Sequence, residues 1–299
     1  MNNNFSDLSV VIVTYKTNLN ILEKSLSSID PSVKIIIIEN SPKFINEDQI
    51  ANKYKNVSIF CTGSNIGYGR GNNYGLQKVD TNYALILNPD IVCEKSYFEN
   101  LKIYLNNELD FSIIGSQYLD NETYAPAGFF DSNLCLKDAD YIQDLNLSKV
   151  DWVVGCSMLL NLNKFKNKLI FDENFFLFFE EFDLCRRLNN NNKLIFSSNK
   201  LIVNHLGFKG SFAFDKKYEL ETIKLRNWHY LWSQFFFNKK HDGYFLAYWK
   251  GFFKIIPFFL KFIYFTFVNN ALEKNKYKYR FLGLLNSMLL KKSKFRIDF

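Results

Sequence analysis

Cysteine is too sparse and too scattered to organise this chain. Cys61, Cys93, Cys135, Cys156 and Cys185 are odd in number and include no C-x-x-C pair, so they read as reduced, mostly structural thiols rather than a disulfide framework. Histidine is scarcer, with three in 299 residues. A long hydrophobic run is missing as well. Ile255 to Val268 covers 14 residues and contains Lys261, which is short for a transmembrane span. At the other end Met1 to Asp7 is polar and Leu8 to Val13 is too short for the core of a signal peptide, so a cytoplasmic enzyme body is expected.

Negative charge is nearly absent from the C-terminal third. Residues 1–205 hold 19 Lys and Arg against 24 Asp and Glu, a balance of −5, whereas residues 206–299 hold 18 against 6, a balance of +12. Such asymmetry points to a polyanionic surface, membrane or nucleic acid, touched by the tail. Hydrophobic residues make up 47% and aromatic residues 18%, which excludes a disordered chain and allows one large domain with an appendage.

Short β-branched runs alternate with helical patterns through the first hundred residues. Ser9 to Tyr15, Val33 to Ile38, Val57 to Cys61 and Tyr83 to Leu87 read as strands, and Leu19, Leu22, Leu26 and Ile29 mark a helix after the first. Continuous apolar strands need cover on both faces, so the pattern predicts an α/β domain whose ligands sit at the carboxyl ends of parallel strands. Those ends carry Thr14 and Tyr15; Glu39, Asn40 and Ser41; the run Asn65 to Asn73 with Gly67, Gly69, Arg70, Gly71 and Asn72; and Asn88-Pro89-Asp90. Glu39 can accept hydrogen bonds from a nucleobase or ribose, the glycines allow a close backbone approach, and Arg70 is available for phosphate. The run does not match G-x-G-x-x-G and equally suits a plain glycine-rich loop. Asp90 beside a diphosphate would hold Mg²⁺ or Mn²⁺, although Asn-Pro is also a common turn starter.

Farther along, a helix is expected over Tyr97 to Leu105 and a strand over Phe111 to Gln117. Loops over a binding face are expected from Asp120 to Lys149, then one strand from Asp151 to Leu160, then two short strands over Lys193 to Phe196 and Lys200 to Val203. Trp152 taken alone suits core packing better than stacking on a sugar ring. His205 follows the last strand and precedes Gly207, where an imidazole can reach a metal. In Phe175 to Arg187 five large apolar residues run into Glu180, Glu181 and Asp183. On a helix Glu180 and Asp183 share a face while Glu181 points elsewhere, so one acid can do chemistry while the others anchor it. The same acids also suit a first helical turn, with Asp183 paired to Arg186 or Arg187.

In this order, Val10 to Tyr15, Glu39 to Ser41, Asn65 to Asn73, Leu87 to Asp90, Trp152 to Gly155, Phe171 to Cys185 and His205 resemble family 2 glycosyltransferases of the GT-A fold, in particular their bacterial rhamnosyltransferase-like branch. The resemblance covers roughly the first 210 residues. It implies a Rossmann-like, mostly parallel central sheet flanked by helices, and an inverting, metal-dependent transfer of a sugar from a nucleotide diphosphate donor to an acceptor hydroxyl. It casts Asp90 as the metal aspartate of a D-x-D motif, with Asn88 in the first position, and His205 as a further ligand of Mg²⁺ or Mn²⁺. Glu39 takes the nucleoside-contacting position, usually aspartate, and Glu181 the catalytic position, also usually aspartate. Glu180 and Asp183 become orienting groups, and Trp152 and Gly155 face the acceptor.

The implied division is a catalytic domain over 1–210, with a donor half over 1–118 and an acceptor and catalytic half over 119–210, followed by a basic aromatic helical tail over 211–299. Lys250, Lys254 and Lys261 fall within about 40° on a helix, beside an aromatic face, which suits a helix lying in a membrane interface with Pro257 near a start or kink. A helical subdomain packed on the core is the plain alternative for the tail. The expected partners are a nucleotide-sugar donor, dTDP-L-rhamnose first and UDP-hexose or UDP-N-acetylhexosamine as alternatives, a glycan or lipid-linked glycan acceptor, the cytoplasmic face of the inner membrane, and a second copy of the chain. A nucleic-acid-binding tail is the competing class, but it leaves the acidic first domain and Asn-Pro-Asp unexplained, so no nucleic acid is expected.

Overall fold

The computed structural model describes residues 5–120, 123–124, 127–131, 133–135, 137, 139–206 and 218–297. The boundary expected at 210/211, and Gly207, lie outside the described residues. The chain divides into two compact units, Met1–Phe171 with Glu181–Phe212, and Asp172–Glu180 with Ala213–Phe299.

In the first unit the chain runs β1 (Leu8–Thr14), α1 (Leu19–Leu26), β2 (Lys34–Glu39), α2 (Glu47–Lys53), β3 (Val57–Cys61), α3 (Tyr68–Lys78), β4 (Tyr83–Leu87), β5 (Ile91–Cys93), α4 (Tyr97–Leu105) and β6 (Ile113–Asp120). Short strands follow, β7 (Thr123–Tyr124), β8 (Ala127–Gly128), β9 (Tyr141–Ile142), β10 (Leu147–Lys149) and β11 (Trp152–Val153). Then come β12 (Ser157–Asn161), α5 (Glu180–Asn189), which starts at the unit boundary, and β13 (Ile195–His205). An 11-stranded sheet has the order β3-β2-β1-β4-β12-β6-β13-β10-β9, with β5 on β13 and β7 on β6. The half formed by β3, β2, β1 and β4 is parallel, and β12 enters antiparallel to both β4 and β6.

The alternation along β1 explains its unbroken apolar run. Val10 and Ile12 join one core with Leu22 of α1 and Leu101 of α4, while Val11 joins a second core with Leu76 of α3 and Leu184 of α5. Both faces of the strand are dry, so both sets of side chains are apolar. Helix α3 lies close on this sheet: a Cβ on Gly75 would stand 2.4 Å from Val11 Cγ1, and one on Gly71 2.8 Å from Val13 Cγ1. Gly75→Ala is therefore expected to destabilise the fold by about 1–3 kcal/mol in urea unfolding, and Val11→Ala in the same chain should restore part of it.

Four sequence expectations need correction. The glycine run is not a loop: Gly67, at φ 93°, turns the chain into α3, and the later glycines seat that helix on β1. The stretch 151–160 is not one strand, because β11 pairs with β8 in a separate two-stranded sheet and Gly155-Cys156 separates it from β12. The two short strands expected over 193–203 are one strand, β13, whose register shifts between Ser197 and Ile202. The supposed loops over 120–149 include β7 to β10 among their described residues.

The second unit holds α6 (Glu219–Asp242), α7 (Tyr244–Phe267) and α8 (Ala271–Met288), with the segment 172–180. Leu231, Phe235, Ala247, Leu284 and Met288 form its core. Gly283 of α8 lies against the backbone of Trp228, where a Cβ would stand 2.2 Å from the carbonyl oxygen. Pro257 sits well inside α7 rather than near its start. Segment 172–180 is tied to α6 by Phe175 on Phe236, Phe176 on His229, Lys240 on Asp172 and a hydrogen bond from Ser233 Oγ to the Leu177 carbonyl. Among the described residues no helix is long and apolar enough to cross a membrane.

Candidate active site

The parallel register sets Thr14 beside Glu39 at the carboxyl ends of β1 and β2. Thr14 Oγ1 donates to Glu39 Oε2 at 2.6 Å and the Lys16 backbone N–H donates to Oε1 at 3.1 Å. Glu39 is almost wholly buried, so its carboxylate organises the loop after β1, and any nucleoside contact would use its remaining lone pairs. Tyr15 stands half-buried on that loop, beneath the ammonium of Lys16. Asn40 donates to the Gly67 carbonyl at 2.9 Å, and Asn65 Oδ1 accepts from the Gly67 N–H, which shapes the entry to α3. Arg70 is exposed in the first turn of α3. Gly71 and Asn72 are buried instead, and Asn72 donates back to the Tyr68 carbonyl.

Beyond β4 the turn Asn88-Pro89-Asp90 leads into β5, whose antiparallel pairing sets Ile91 opposite His205 of β13. The Leu206 N–H donates to the Asp90 carbonyl at 2.9 Å, which pins this corner. His205 Nε2 lies 3.8 Å from Asp90 Oδ2, with both side chains nearly excluded from solvent. The structure thus brings together the two expected metal ligands from positions 115 residues apart. Asn88 Oδ1 is buried with no hydrogen-bond partner among the described residues, so an oxygen in the same turn remains open to a ligand. No group of three His, Cys, Asp or Glu side chains suited to a metal occurs among the described residues. A carboxylate and an imidazole suit Mg²⁺ or Mn²⁺ only if substrate oxygens and water complete the shell.

The acid stretch is sorted by burial. Asp183 is fully buried and receives Arg187 Nε at 2.8 Å, while the Arg187 guanidinium also donates to the Ile170 carbonyl. Glu180 is buried, and Glu181 keeps partial contact with solvent. Desolvation nevertheless raises the Glu181 carboxyl from its ordinary 4.5 to about 7, opposed only in part by a backbone hydrogen bond. Gly155 is its neighbour: a Cβ there would stand 3.4 Å from Glu181 Cβ, in ordinary van der Waals contact. Cys156 connects this carboxylate with the first corner. Its thiol is pushed up to about 12 by burial and then by the charges of Asp90 and Glu181, so both acids act on one buried neighbour. The Asn88 N–H also donates to the Cys156 carbonyl.

Three features of this region escape sequence reasoning. Tyr68 Oη donates to the Gly155 carbonyl at 2.6 Å, which locks the loop facing Glu181. Asn73 clamps Phe171 by donating to its carbonyl and accepting its N–H, both at 2.9 Å. Phe178 and Phe179, directly before α5, have φ of 70° and 69°, a left-handed conformation that is costly for bulky residues. No residue type signals any of these in advance, although Tyr68 and Asn73 lie inside the motif. Trp152 stays half-buried, with its ring 5.0 Å from that of Phe182 and its Nε1 donating to the Phe129 carbonyl, so part of the ring serves packing.

Residues 9–133 match the family model described as Glycosyl transferase family 2. The chain is 28% identical over 196 residues to the low-salt glycan biosynthesis hexosyltransferase Agl10 of Haloferax volcanii, a match covering 62% of each protein. It is 25% identical over 207 residues to rhamnosyltransferase WbbL of Escherichia coli K12, covering 56% of this chain and 70% of that one. The chain therefore spans less than two thirds of the first relative's length. S. aureus TarS 1–349 in complex with UDP-GlcNAc superposes with a TM-score of 0.53 at 14% identity, over 98% of this chain and 94% of that chain. The mannosyltransferase PcManGT of Pyrobaculum calidifontis, in complex with GDP-Man and Mn²⁺, gives 0.53 at 8% identity, over 96% and 88%. At these identities the likeness is one of fold, and it extends the GT-A reading to this sheet.

Proposed function

We propose that this chain, whose residues 9–133 match the model of glycosyltransferase family 2, is an inverting transferase that moves a sugar from a nucleotide diphosphate donor to an acceptor hydroxyl. One observation carries the reading: the Gly155-Cys156 turn stands against the Glu181 side chain and accepts the Asn88 N–H at the Cys156 carbonyl, so Glu181 and the Asn88-Pro89-Asp90 turn meet at one place. A base and a diphosphate-facing acid are then gathered at one strand-end crevice, as an in-line displacement requires.

Glu181 takes the proton from the acceptor oxygen as that oxygen attacks the anomeric carbon. The bond to the departing diphosphate breaks on the opposite face, which inverts the centre. Asp183, held by Arg187, and buried Glu180 set the start of α5 and so orient Glu181. Asp90 and His205 would hold a divalent cation, with Asn88 beside them, and such a cation when bound neutralises charge developing on the leaving group. Arg70, exposed in the first turn of α3, serves the diphosphate, and Thr14, Tyr15, Glu39, Asn65 and Gly67 shape the nucleoside end. Trp152 and Gly155 face the acceptor.

The donor is dTDP-L-rhamnose on this reading, a choice supported by the rhamnosyltransferase relative. UDP-hexose or UDP-N-acetylhexosamine is the second reading, favoured by the hexosyltransferase relative and by the fold neighbour holding UDP-GlcNAc. The acceptor is a lipid-linked surface glycan at the cytoplasmic face of the inner membrane. Support comes from α7, on which Phe245, Trp249, Phe253, Leu260, Tyr264 and Phe267 are exposed beside Lys250, Lys254 and Lys261. A helix with that surface lies in an interface rather than across a bilayer. The test is release of nucleoside diphosphate from a donor panel with Mg²⁺ or Mn²⁺, against EDTA. Metal-dependent turnover of dTDP-rhamnose is the expected result, and turnover of a UDP-sugar alone would select the second reading. If no donor turns over and calorimetry detects no donor binding, the transferase reading fails.

A further inference from the structure

The proposed transfer makes no use of a cavity on the C-terminal helical unit. It has a volume of about 620 Å³ and is lined by Trp228, Asn286, Lys291, Lys292, Lys294 and Phe295. Several other lysines of this unit are engaged, Lys240 with Asp172, Lys250 with Asp242 and Lys276 with Glu273. The ammonium groups of Lys291, Lys292 and Lys294 have no ion pair, hydrogen bond or ring contact among the described residues. Three unneutralised cations within four residues repel one another, and an anion seated among them relieves that repulsion.

The segment carrying them is held, not frayed. Trp232 Nε1 donates to the Lys291 carbonyl at 3.0 Å, and the fully buried His229 makes two further bonds. Its Nε2 faces the Phe295 carbonyl at 2.8 Å, which fixes the proton on that nitrogen, so Nδ1 accepts from Ser293 Oγ at 3.1 Å. Burial lowers this imidazole to about 3, so it pins the backbone without adding charge. The Phe295 ring packs on Trp228 and Tyr279, and Arg296 lies over Phe176. Lysines on a fixed segment lose less freedom on capturing an anion than lysines on a free tail. The Trp228 and Phe295 side chains give the same cavity an apolar wall, which inorganic phosphate cannot use. Tyr244 Oη donates to the Met288 carbonyl, so the start of α7 with its exposed Phe245 lies at the end of α8 from which the lysine segment departs.

We propose that this cavity binds the phosphate group of a lipid phosphate, with the lysines on the charge and the Trp228 and Phe295 rings on the apolar substituent. The proposal rests on the reading that the chain works at a lipid surface, and it adds a headgroup site separate from the strand-end crevice.

The test is calorimetric titration of the full chain with monomeric dihexanoyl phosphatidic acid and, separately, with inorganic phosphate. The lipid phosphate is expected to bind at least about tenfold tighter than inorganic phosphate, because only the former meets the apolar wall. Each lysine near an anionic headgroup is worth about fivefold, so the triple change Lys291→Ala, Lys292→Ala, Lys294→Ala should weaken lipid-phosphate binding by at least about tenfold after screening. The matching triple change to Arg should retain it, and equal melting temperatures show that both variants fold. Wild-type affinity in the alanine variant would overturn the site, and equal affinity for inorganic phosphate would overturn the lipid assignment. No turnover is needed for these measurements, so a failed transferase assay leaves them decisive.

Discussion

Glu181→Gln is expected to slow sugar transfer by about 10³-fold while donor binding, measured by calorimetry, stays unchanged. Glutamine keeps the shape of the side chain beside Gly155 but cannot take the acceptor proton. The wild-type rate should rise with pH and reach half its plateau near 7, because only the ionised carboxylate is a base and burial raises Glu181 to about 7. Stability runs the other way. A carboxyl raised from 4.5 to about 7 is held in its protonated form by the fold, so the stability it contributes is fully present below about 4.5 and is lost as pH rises through about 7. Above pH 7 the wild type carries an ionisation cost on the order of 2–3 kcal/mol that glutamine avoids. Glu181→Gln should therefore be the more stable protein at pH 8, while the two converge near pH 4 in urea unfolding. A merely structural acid would lose stability on substitution and leave turnover intact. Full turnover in Glu181→Gln would reassign the base to Asp183, despite its ion pair with Arg187.

Asp90→Asn should remove the response to divalent metal. Wild-type turnover is expected to fall by about 10²-fold on EDTA treatment, and Asp90→Asn should sit at that lower rate with or without Mn²⁺. His205→Asn should fall less, because it removes a neutral donor and leaves the charge. Calorimetry supplies a readout independent of turnover: Mn²⁺ should tighten donor binding to the wild type and leave Asp90→Asn unaffected. Equal Mn²⁺ responses in the two proteins would reduce the 3.8 Å approach of Asp90 and His205 to an ordinary structural contact.

The sequence by itself determined the parallel half of the sheet. The β3 and β4 strands and the α4 helix fall at the limits expected for them, and β4, buried from Ala84 to Leu87, shows why: a strand covered on both faces is apolar throughout. It also determined the identity of the strand-end residues, since parallel strands with intervening helices deliver their carboxyl ends to one edge. The sequence could not decide how three neighbouring acids divide between core and solvent. Periodicity separates Glu181 from Glu180 and Asp183, but only the fold pairs Asp183 with Arg187 and buries Glu180 while Glu181 keeps some exposure. Nor could it show that the glycines after Gly67 seat a helix, since that depends on the distance to Val11 and Val13 across the sheet.

Only the tertiary structure decided the rest, through contacts between residues far apart in the chain. The β5 and β13 pairing sets His205 beside Asp90, Tyr68 reaches the Gly155 carbonyl, and the Asn88 N–H reaches the Cys156 carbonyl. The five large apolar residues before Glu180, four Phe and Leu177, belong to the helical unit, with Phe175, Phe176, Phe178 and Phe179 against rings of α6. An apolar run records that it must be buried, and only the fold records what buries it.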